Sequence, residues 1–553
     1  MNQSLLETAL HAHRVGNLAE AGRLYVEILR ADPRHFEALY RLGLLQYQIG
    51  RFSESERLFA AAIGFYADVP ELFCGRGCAL QAMRRFEEAL ASFARALALR
   101  PNYPEARNNR GVTLLDMKRY QEALATFEML EAANDHERSL IFNNRAAALL
   151  GLKRYAESLA YAEQSLSLNS QQANFFSTYG AILMALGRHE DALVAYDSAL
   201  RLNPNFLDAL KNRGSALREL KRFDEALASY DRALTIKPDF AEALNNRGLL
   251  RLLVGRYREG WLDHEWRWET DSITTTRPRI SARPWQGEDL TGRRIVVYSE
   301  QGLGDIIHFA RYLPLLVRRG AKVTFGAPEN LIRLLGSLPA EIRIISSIDE
   351  REPFDFQCAL MSLPLWFGTE LHSIPNEVPY LKADDDLAAR WKKKLGGQGF
   401  KVGIAWQGAP GRAIDQGRSI PLAEFFPLAR IRGVRLFSLQ KTHGLDQLED
   451  LPEDVKIKTF GDDFDGGPDA FVDTAAVMAG LDLIVTSDTS VAHLAGALGR
   501  PTWVALKHVP DWRWQVDRDD NPWYPTLRLF RQETAGDWRH VFSSIERELR
   551  SAV

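Results

Sequence analysis

The sequence predicts an α-helical solenoid followed by an α/β region. Three observations carry this. One turn signature recurs eight times across the first half at an almost constant spacing, strands and helices alternate from about residue 293, and 553 residues leave room for two such parts, each with its own core. The expected divisions are a solenoid of about eight repeats at 1–270, a connector at 271–292, and two parallel-sheet halves at 293–395 and 400–553. The second half includes a C-terminal helix.

The turn signature is a Gly or a basic residue, then usually a basic and an aromatic residue, then usually Glu or Asp and Ala. Its first residues are Gly16, Gly50, Arg84, Lys118, Lys153, Gly187, Lys221 and Gly255, with steps of 34, 34, 34, 35, 34, 34 and 34. Seven residues before the turn residue stands Gly43, Gly77, Gly111, Ala146, Gly180, Gly214 or Gly248, where two helices must pack closely. Ala89, Ala123, Ala192 and Ala226 follow the turn, and Phe93, Phe127, Tyr196 and Tyr230 come next, an alternation of small and large that fills an inter-helix seam. Pro33, Pro101, Pro204 and Pro238 end the second helices. This pattern resembles the tetratricopeptide repeat family, which implies two antiparallel helices per unit over about residues 4–270.

Composition bounds the rest. A formal net charge of -3 gives no basic field to recommend nucleic acid or an anionic membrane as partner. Of three cysteines, Cys74 and Cys78 fall one helical turn apart and Cys358 in a predicted strand; with no further ligands nearby they read as small packing residues in a reducing compartment. The N-terminus lacks a basic region followed by an apolar core, and no run reaches the ~18 apolar residues of a membrane span. A cytoplasmic protein is expected.

After Gly255 the pattern gives way to an aromatic capping helix and a Thr/Arg/Pro-rich connector. Trp261, Trp266, Trp268 and Trp285 suit a seam where rings bury area with their N–H groups satisfied. RIVVYSE, AKVTFGA, IRIIS and FDFQCAL then alternate with helical segments, and a second series runs through KVGIAWQG, VRLFSLQ, VKIKTF, LDLIVTSD and TWVALK. The result expected is two Rossmann-like halves in tandem.

Three motifs carry chemistry. In SEQGLGDIIHF a strand ends in a turn with Gly302, Gly304 and Asp305 that opens a helix; the glycines let backbone approach a ligand, and Asp305 either caps the helix or acts on a substrate. The spacing is not the dinucleotide fingerprint, which needs a third Gly and a later acidic residue. In LDLIVTSDTSVAHLAGALGRP, Asp488, Thr489 and Ser490 lie between a buried strand and a helix start that suits a diphosphate, and His493 on the first turn either donates to it or packs. In IAWQGAPGRAIDQGRSIPLAEF, Gln407 and Gly408 open a loop whose Arg412 and Arg418 would neutralise a leaving phosphate. Asp463 and Asp465 in GDDFDGG read as an acidic turn rather than a Mg²⁺ site.

Together these motifs resemble the GT-B glycosyltransferases, and the heptosyltransferase-like family in particular, over about 290–550. GLGDIIHFARYLP matches that family's N-terminal motif, which implies Asp305 as general base. SDTSVAHLAGALGRP is similar to its nucleotide-diphosphate motif, which implies Asp488, Thr489, Ser490 and His493 at the donor. Arg418 stands where the family usually has a Lys, and Gln440 where the family lines the nucleotide. The resemblance implies a metal-independent transfer with no cofactor beyond the nucleotide-sugar substrate. It implies inversion if a single displacement operates, and a C-terminal helix, RHVFSSIERELRSAV, that crosses back onto the first half.

A repeat groove suits an extended polypeptide. Asn109, Asn144, Asn212 and Asn246 recur two residues before the small packing position, and the combination resembles protein O-glycosyltransferases in which an Asn ladder holds the acceptor. Thr178, Gly75 and Arg41 interrupt the ladder here, and helix packing with solvated polarity is its other reading. The function expected is sugar transfer from a nucleotide-sugar to a protein acceptor. The alternatives are transfer to a lipopolysaccharide or other glycan, and a tetratricopeptide scaffold with an inactive GT-B module.

Overall fold

A computed structural model describes residues 2–270, 273, 277–300, 302–409 and 417–553 of the chain. Arg412 and part of the expected connector lie outside the described residues. The chain forms two compact units, Met1–Ala216 and Leu217–Val553.

The first unit is built of paired helices, from Asn2–Arg14 with Leu18–Ala31 to Ala173–Ala185 with His189–Leu202. The recurring turn residue has left-handed backbone in every repeat: φ is 76° at Gly50 and 75° at Gly187, but also 60° at Arg84, 61° at Lys118 and 60° at Lys153. It sits just past a helix end, where a left-handed residue lets the last carbonyls find donors: Arg51 N–H reaches the Gln46 carbonyl at 2.8 Å and Gly50 N–H the Tyr47 carbonyl at 3.0 Å. The basic residue that follows begins the next helix, and its guanidinium bonds a carboxylate three positions on, as in Arg85–Glu88 and Arg154–Glu157.

Small and large residues interlock as the repeat pattern predicts. A Cβ on Gly77 would lie 2.5 Å from the Phe93 ring, and one on Gly180 would lie 2.7 Å from Tyr196. The glycines therefore serve close helix approach, and both rings are buried. The 35-residue step has a structural counterpart. The helix after Lys118, Tyr120–Glu128, has 9 residues against 14 for Phe86–Leu99 and Tyr155–Leu168.

The second unit joins the last repeat helices, Phe223–Ile236, Ala241–Leu253 and Tyr257–His264, to two parallel sheets. The first sheet contains β1 (Arg283–Pro284), β2 (Arg294–Tyr298), β3 (Lys322–Gly326), β4 (Ile342–Ile345) and β5 (Phe356–Ala359), in the order β1-β5-β2-β3-β4. The second contains β6 (Phe400–Ala405), β7 (Val434–Ser438), β8 (Ile457–Lys458), β9 (Leu483–Ser487), β10 (Thr502–Leu506) and β11 (Leu527–Arg531), in the order β11-β10-β9-β6-β7-β8. Every strand pairing in both ladders is parallel; Val402 of β6 opposes Leu436 of β7 on one side and Leu483 of β9 on the other. The central strands are almost wholly apolar because helices cover both faces.

In each sheet the chain leaves a central strand in one direction and later returns on its other side. This puts a switch in strand order between β2 and β5, and another between β6 and β9. Such crevices at the carboxyl ends of parallel strands are where open α/β sheets take ligands.

The last repeat is fastened to the sheets by rings and a buried ion cluster. Trp261 donates to the Thr369 carbonyl at 2.9 Å and packs edge-on against Trp512 at 5.2 Å. Trp268 meets Tyr298, whereas Trp285 bonds locally, donating to the Glu288 carbonyl three residues on. Arg267 donates to Glu300 at 2.8 and 3.0 Å, to Glu265 at 2.7 Å and to Ser362 at 2.9 Å. Burial pulls Arg267 and Glu300 toward neutrality, and their mutual attraction opposes it.

The C-terminal helix corrects one expectation. Trp538–Ala552 places Val541, Phe542, Ile545 and Leu549 in the core of the second sheet, with Phe542 against Phe425 at 4.5 Å, instead of crossing to the first. Its apolar stripe is completed by β6, β7 and the segment around Phe425 and Leu428, which precedes β7 in the chain.

Candidate active site

Most of the described motif residues of the α/β region lie just beyond the carboxyl end of a parallel strand. Gly302, Gly304 and Asp305 follow β2, Gln407 and Gly408 follow β6, Gln440 follows β7, and Asp488, Thr489 and Ser490 follow β9. The two strand-order switches face a common region. Helix Leu303–Phe309 packs directly on helix Ser490–Ala497, and a Cβ on Gly304 would lie 3.0 Å from Ser490 Oγ and 3.2 Å from His493 Cδ2. Gly304 thus permits the two sheet halves to meet.

Asp305 receives a charge-assisted hydrogen bond from Arg513 Nη2. Arg513, 6% exposed, follows β10 and also donates to Asp511 at 2.8 Å. Its buried Nε–H has no hydrogen-bond partner among the described residues. Burial works against its charge, but Asp511 and Asp305 outweigh burial and hold the guanidinium pKa above the usual value.

Asp488 lies in the same charge network. Desolvation first, then the neighbouring Asp511, push its pKa up to about 6, while Arg418, the Trp514 indole and Arg513 act in the opposite direction. Thr489 begins the Ser490–Ala497 helix with extended backbone, and its hydroxyl lies 3.4 Å from that of Thr486. The first N–H groups of that helix point toward the turn, as at any helix start.

Gly408 makes room for Arg418, whose Nη2 would collide with any Cβ at that position. Gln440 holds the turn after β6 in place: its Oε1 accepts from Trp406 N–H at 3.0 Å and Gln407 N–H at 3.1 Å, and its Nε2 donates to the Gln407 carbonyl at 2.7 Å. Gln407 Oε1 in turn accepts from Gln447 at 3.3 Å. The amide of Gln440 is therefore engaged with backbone that borders the site.

His493 is packed. It shares the Tyr524 hydroxyl with His308, at 3.2 and 2.9 Å, and stacks on Trp514 at 5.4 Å. Burial, then nearby arginines, depress both imidazoles well below 6.5, so both are neutral at physiological pH. A Cβ on Gly496 would strike the Tyr524 ring, so this glycine admits the tyrosine.

Arg513, Asp511, Trp512, Trp514, Trp523 and Tyr524 all come from one segment between β10 and β11 that no motif distinguishes. Its signal in the sequence is composition alone: DWRWQVDRDDNPWY is dense in aromatics and charges, and those aromatics are buried.

Asp465 is used in structure. It accepts from Asp473 N–H at 2.7 Å and from the Thr474 hydroxyl in the first turn of helix Val472–Ala479, while Asp463 is exposed. In the first unit, Asn109 donates to Cys78 Sγ at 3.2 Å and Asn144 to Asn108 at 2.8 Å, so each spends an amide hydrogen on a neighbouring repeat helix. Asn212 and, in the second unit, Asn246 are half-buried. No helix among the described residues is long and apolar enough to cross a membrane.

The tetratricopeptide repeat family model matches residues 6–70, 74–138 and 180–241, so the N-terminal part of the chain carries tetratricopeptide repeats. Protein FlbA of Caulobacter vibrioides is 27% identical over 324 residues, covering 54% of this chain and 53% of its own; the chain spans about half the length of that curated relative. Among solved structures, a tetratricopeptide repeat protein from Parabacteroides merdae is 15% identical with a TM-score of 0.40, covering 45% of this chain and 98% of its own. TTC0263, a thermophilic tetratricopeptide protein of Thermus thermophilus, is 23% identical with a TM-score of 0.32, covering 34% and 100%.

Proposed function

We propose that the chain is a glycosyltransferase of GT-B architecture that moves a sugar from a nucleotide-sugar to a polypeptide held by its tetratricopeptide repeats. The observation that supports this most is the convergence of Asp305 with Arg513, Asp488, Arg418 and the Ser490 helix start at the switch points of two parallel sheets. Asp305 removes the proton of an acceptor hydroxyl while the anomeric carbon loses a nucleoside diphosphate. Arg418, Arg513 and the N–H groups of helix Ser490–Ala497 take up the departing charge. Asp488 shapes the donor turn, and Gln440 keeps the Gln407–Gly408 backbone in register with it. The reaction requires no electron transfer, and the carboxylate and guanidinium groups account for the proton and the leaving charge.

Calorimetry of the purified protein against UDP, GDP, ADP and CMP and their sugars tests the reading. One nucleotide should bind, and Asp488→Ala should weaken it by about tenfold or more. Binding of none of them would favour the rival reading, a tetratricopeptide scaffold with an idle sheet module.

A further inference from the structure

The irregular repeat of the first unit opens a pocket. Because helix Tyr120–Glu128 ends early, residues 129–134 leave the helical path, and Asn134 caps the following helix, Asp135–Gly151, through Glu137 N–H at 2.9 Å. Between this detour and the starts of helices Pro104–Asp116 and Asp135–Gly151 lies a cavity of about 680 Å³. That volume falls within the ~300–1,000 Å³ typical of ligand pockets.

Its lining has two characters. Tyr103, Leu130, Leu140 and Ile141 supply an apolar surface, and the carboxylates of Glu105, Glu131 and Glu137 border it; no basic side chain is among the lining residues described. All three glutamates are exposed, and Glu137 accepts from Ala133 N–H at 2.9 Å and from the Asn134 amide at 3.2 Å. Met129, beside the pocket in sequence, is 64% exposed, an apolar side chain left in water at the same break in the array.

We infer that this pocket seats a Lys or Arg side chain of an extended polypeptide. The aliphatic stem covers Tyr103, Leu140 and Ile141, and the cationic head lies between Glu105 and Glu131. A long basic side chain matches both characters of the lining at once, which a carboxylate or a purely apolar side chain does not. The inference rests on the part of the proposed function in which the repeats hold a polypeptide, and is independent of sugar transfer.

The test is binding of the full-length protein to short peptide pools with one residue held constant at the centre and small or apolar residues elsewhere. Arg and Lys pools should bind about tenfold more tightly than a pool centred on citrulline, the neutral isostere of Arg. In Glu105→Gln/Glu131→Gln that preference should vanish, and Ala132→Trp should block all pools; circular dichroism and melting checks that each variant is folded. Equal binding of Arg and citrulline pools, or a preference unchanged in the Gln variant, overturns the inference. The nucleotide calorimetry above is unaffected by either result, so failure of this site and failure of the transferase reading are separable.

Discussion

Arg513 and Asp305, 208 residues apart in the chain, form an ion pair that ties the segment after β10 in one sheet to the helix after β2 in the other. The guanidinium holds the Asp305 carboxylate in place and at the same time occupies it. In the proposed transfer a diphosphate would compete for the same guanidinium, whose planar fork suits phosphate as well as carboxylate.

Asp305→Asn is expected to lower transfer by about 10²–10⁴-fold while nucleotide affinity changes little, because general-base catalysis contributes on that order. Single-turnover assays beside calorimetry separate the two effects. Retained turnover would remove Asp305 as the base.

Arg513→Lys keeps the charge but loses the fork, so nucleoside diphosphate should bind about tenfold more weakly. Comparing diphosphate with the corresponding nucleoside isolates the phosphate contribution. An equal loss for both ligands would assign Arg513 to support of the fold alone.

Asp488 gives a pH-dependent prediction. Its folded pKa is raised to about 6 from an ordinary 3.8, so the folded chain prefers the protonated acid. Stability from this group is therefore lost as pH rises from about 4 through 6, and above 6 an ionised carboxylate stays in a poorly solvated site. Asp488→Asn should be more stable than the parent by on the order of 2 kcal/mol at pH 7.5 and close to it at pH 4. Melting curves at the two pH values decide the point; a difference independent of pH would contradict it.

The Arg267–Glu300 pair predicts strong coupling. Both side chains are almost fully buried, so Arg267→Met leaves a carboxylate without its counter-charge and should cost about 3–5 kcal/mol. Adding Glu300→Gln should restore part of that loss, since it removes the orphaned charge. Denaturant unfolding of the single and double variants measures the coupling, and additive losses would sink it.

The repeat turns predict a gain. Lys153 has φ of 60°, a left-handed conformation in which Gly carries no Cβ penalty, so Lys153→Gly should stabilise the first unit by about 0.5–1 kcal/mol. Gly187 has φ of 75° and open space where a Cβ would stand, so Gly187→Ala meets no clash but should lose a similar amount to backbone strain. Thermal melts of both variants check the pair of opposite signs.

The sequence by itself determined what is local or periodic. The 34-residue spacing placed the paired helices, the Gly77–Phe93 and Gly180–Tyr196 interlocks followed from residues 16 apart, and runs such as LDLIVTSD announced buried parallel strands, since each signal lies within one hairpin or one strand. The turns that bear Asp305, Gly408 and Asp488 were legible for the same reason: a strand end, a small residue and a helix start are contiguous. Only the tertiary structure decided what those turns face. The pairing of Asp305 with Arg513, the neutral His308–Tyr524–His493 cluster and the seating of the last helix on the second sheet depend on contacts between segments far apart in the chain. Charge burial and side-chain packing there are set by which surfaces meet, and no periodicity along the chain encodes that meeting.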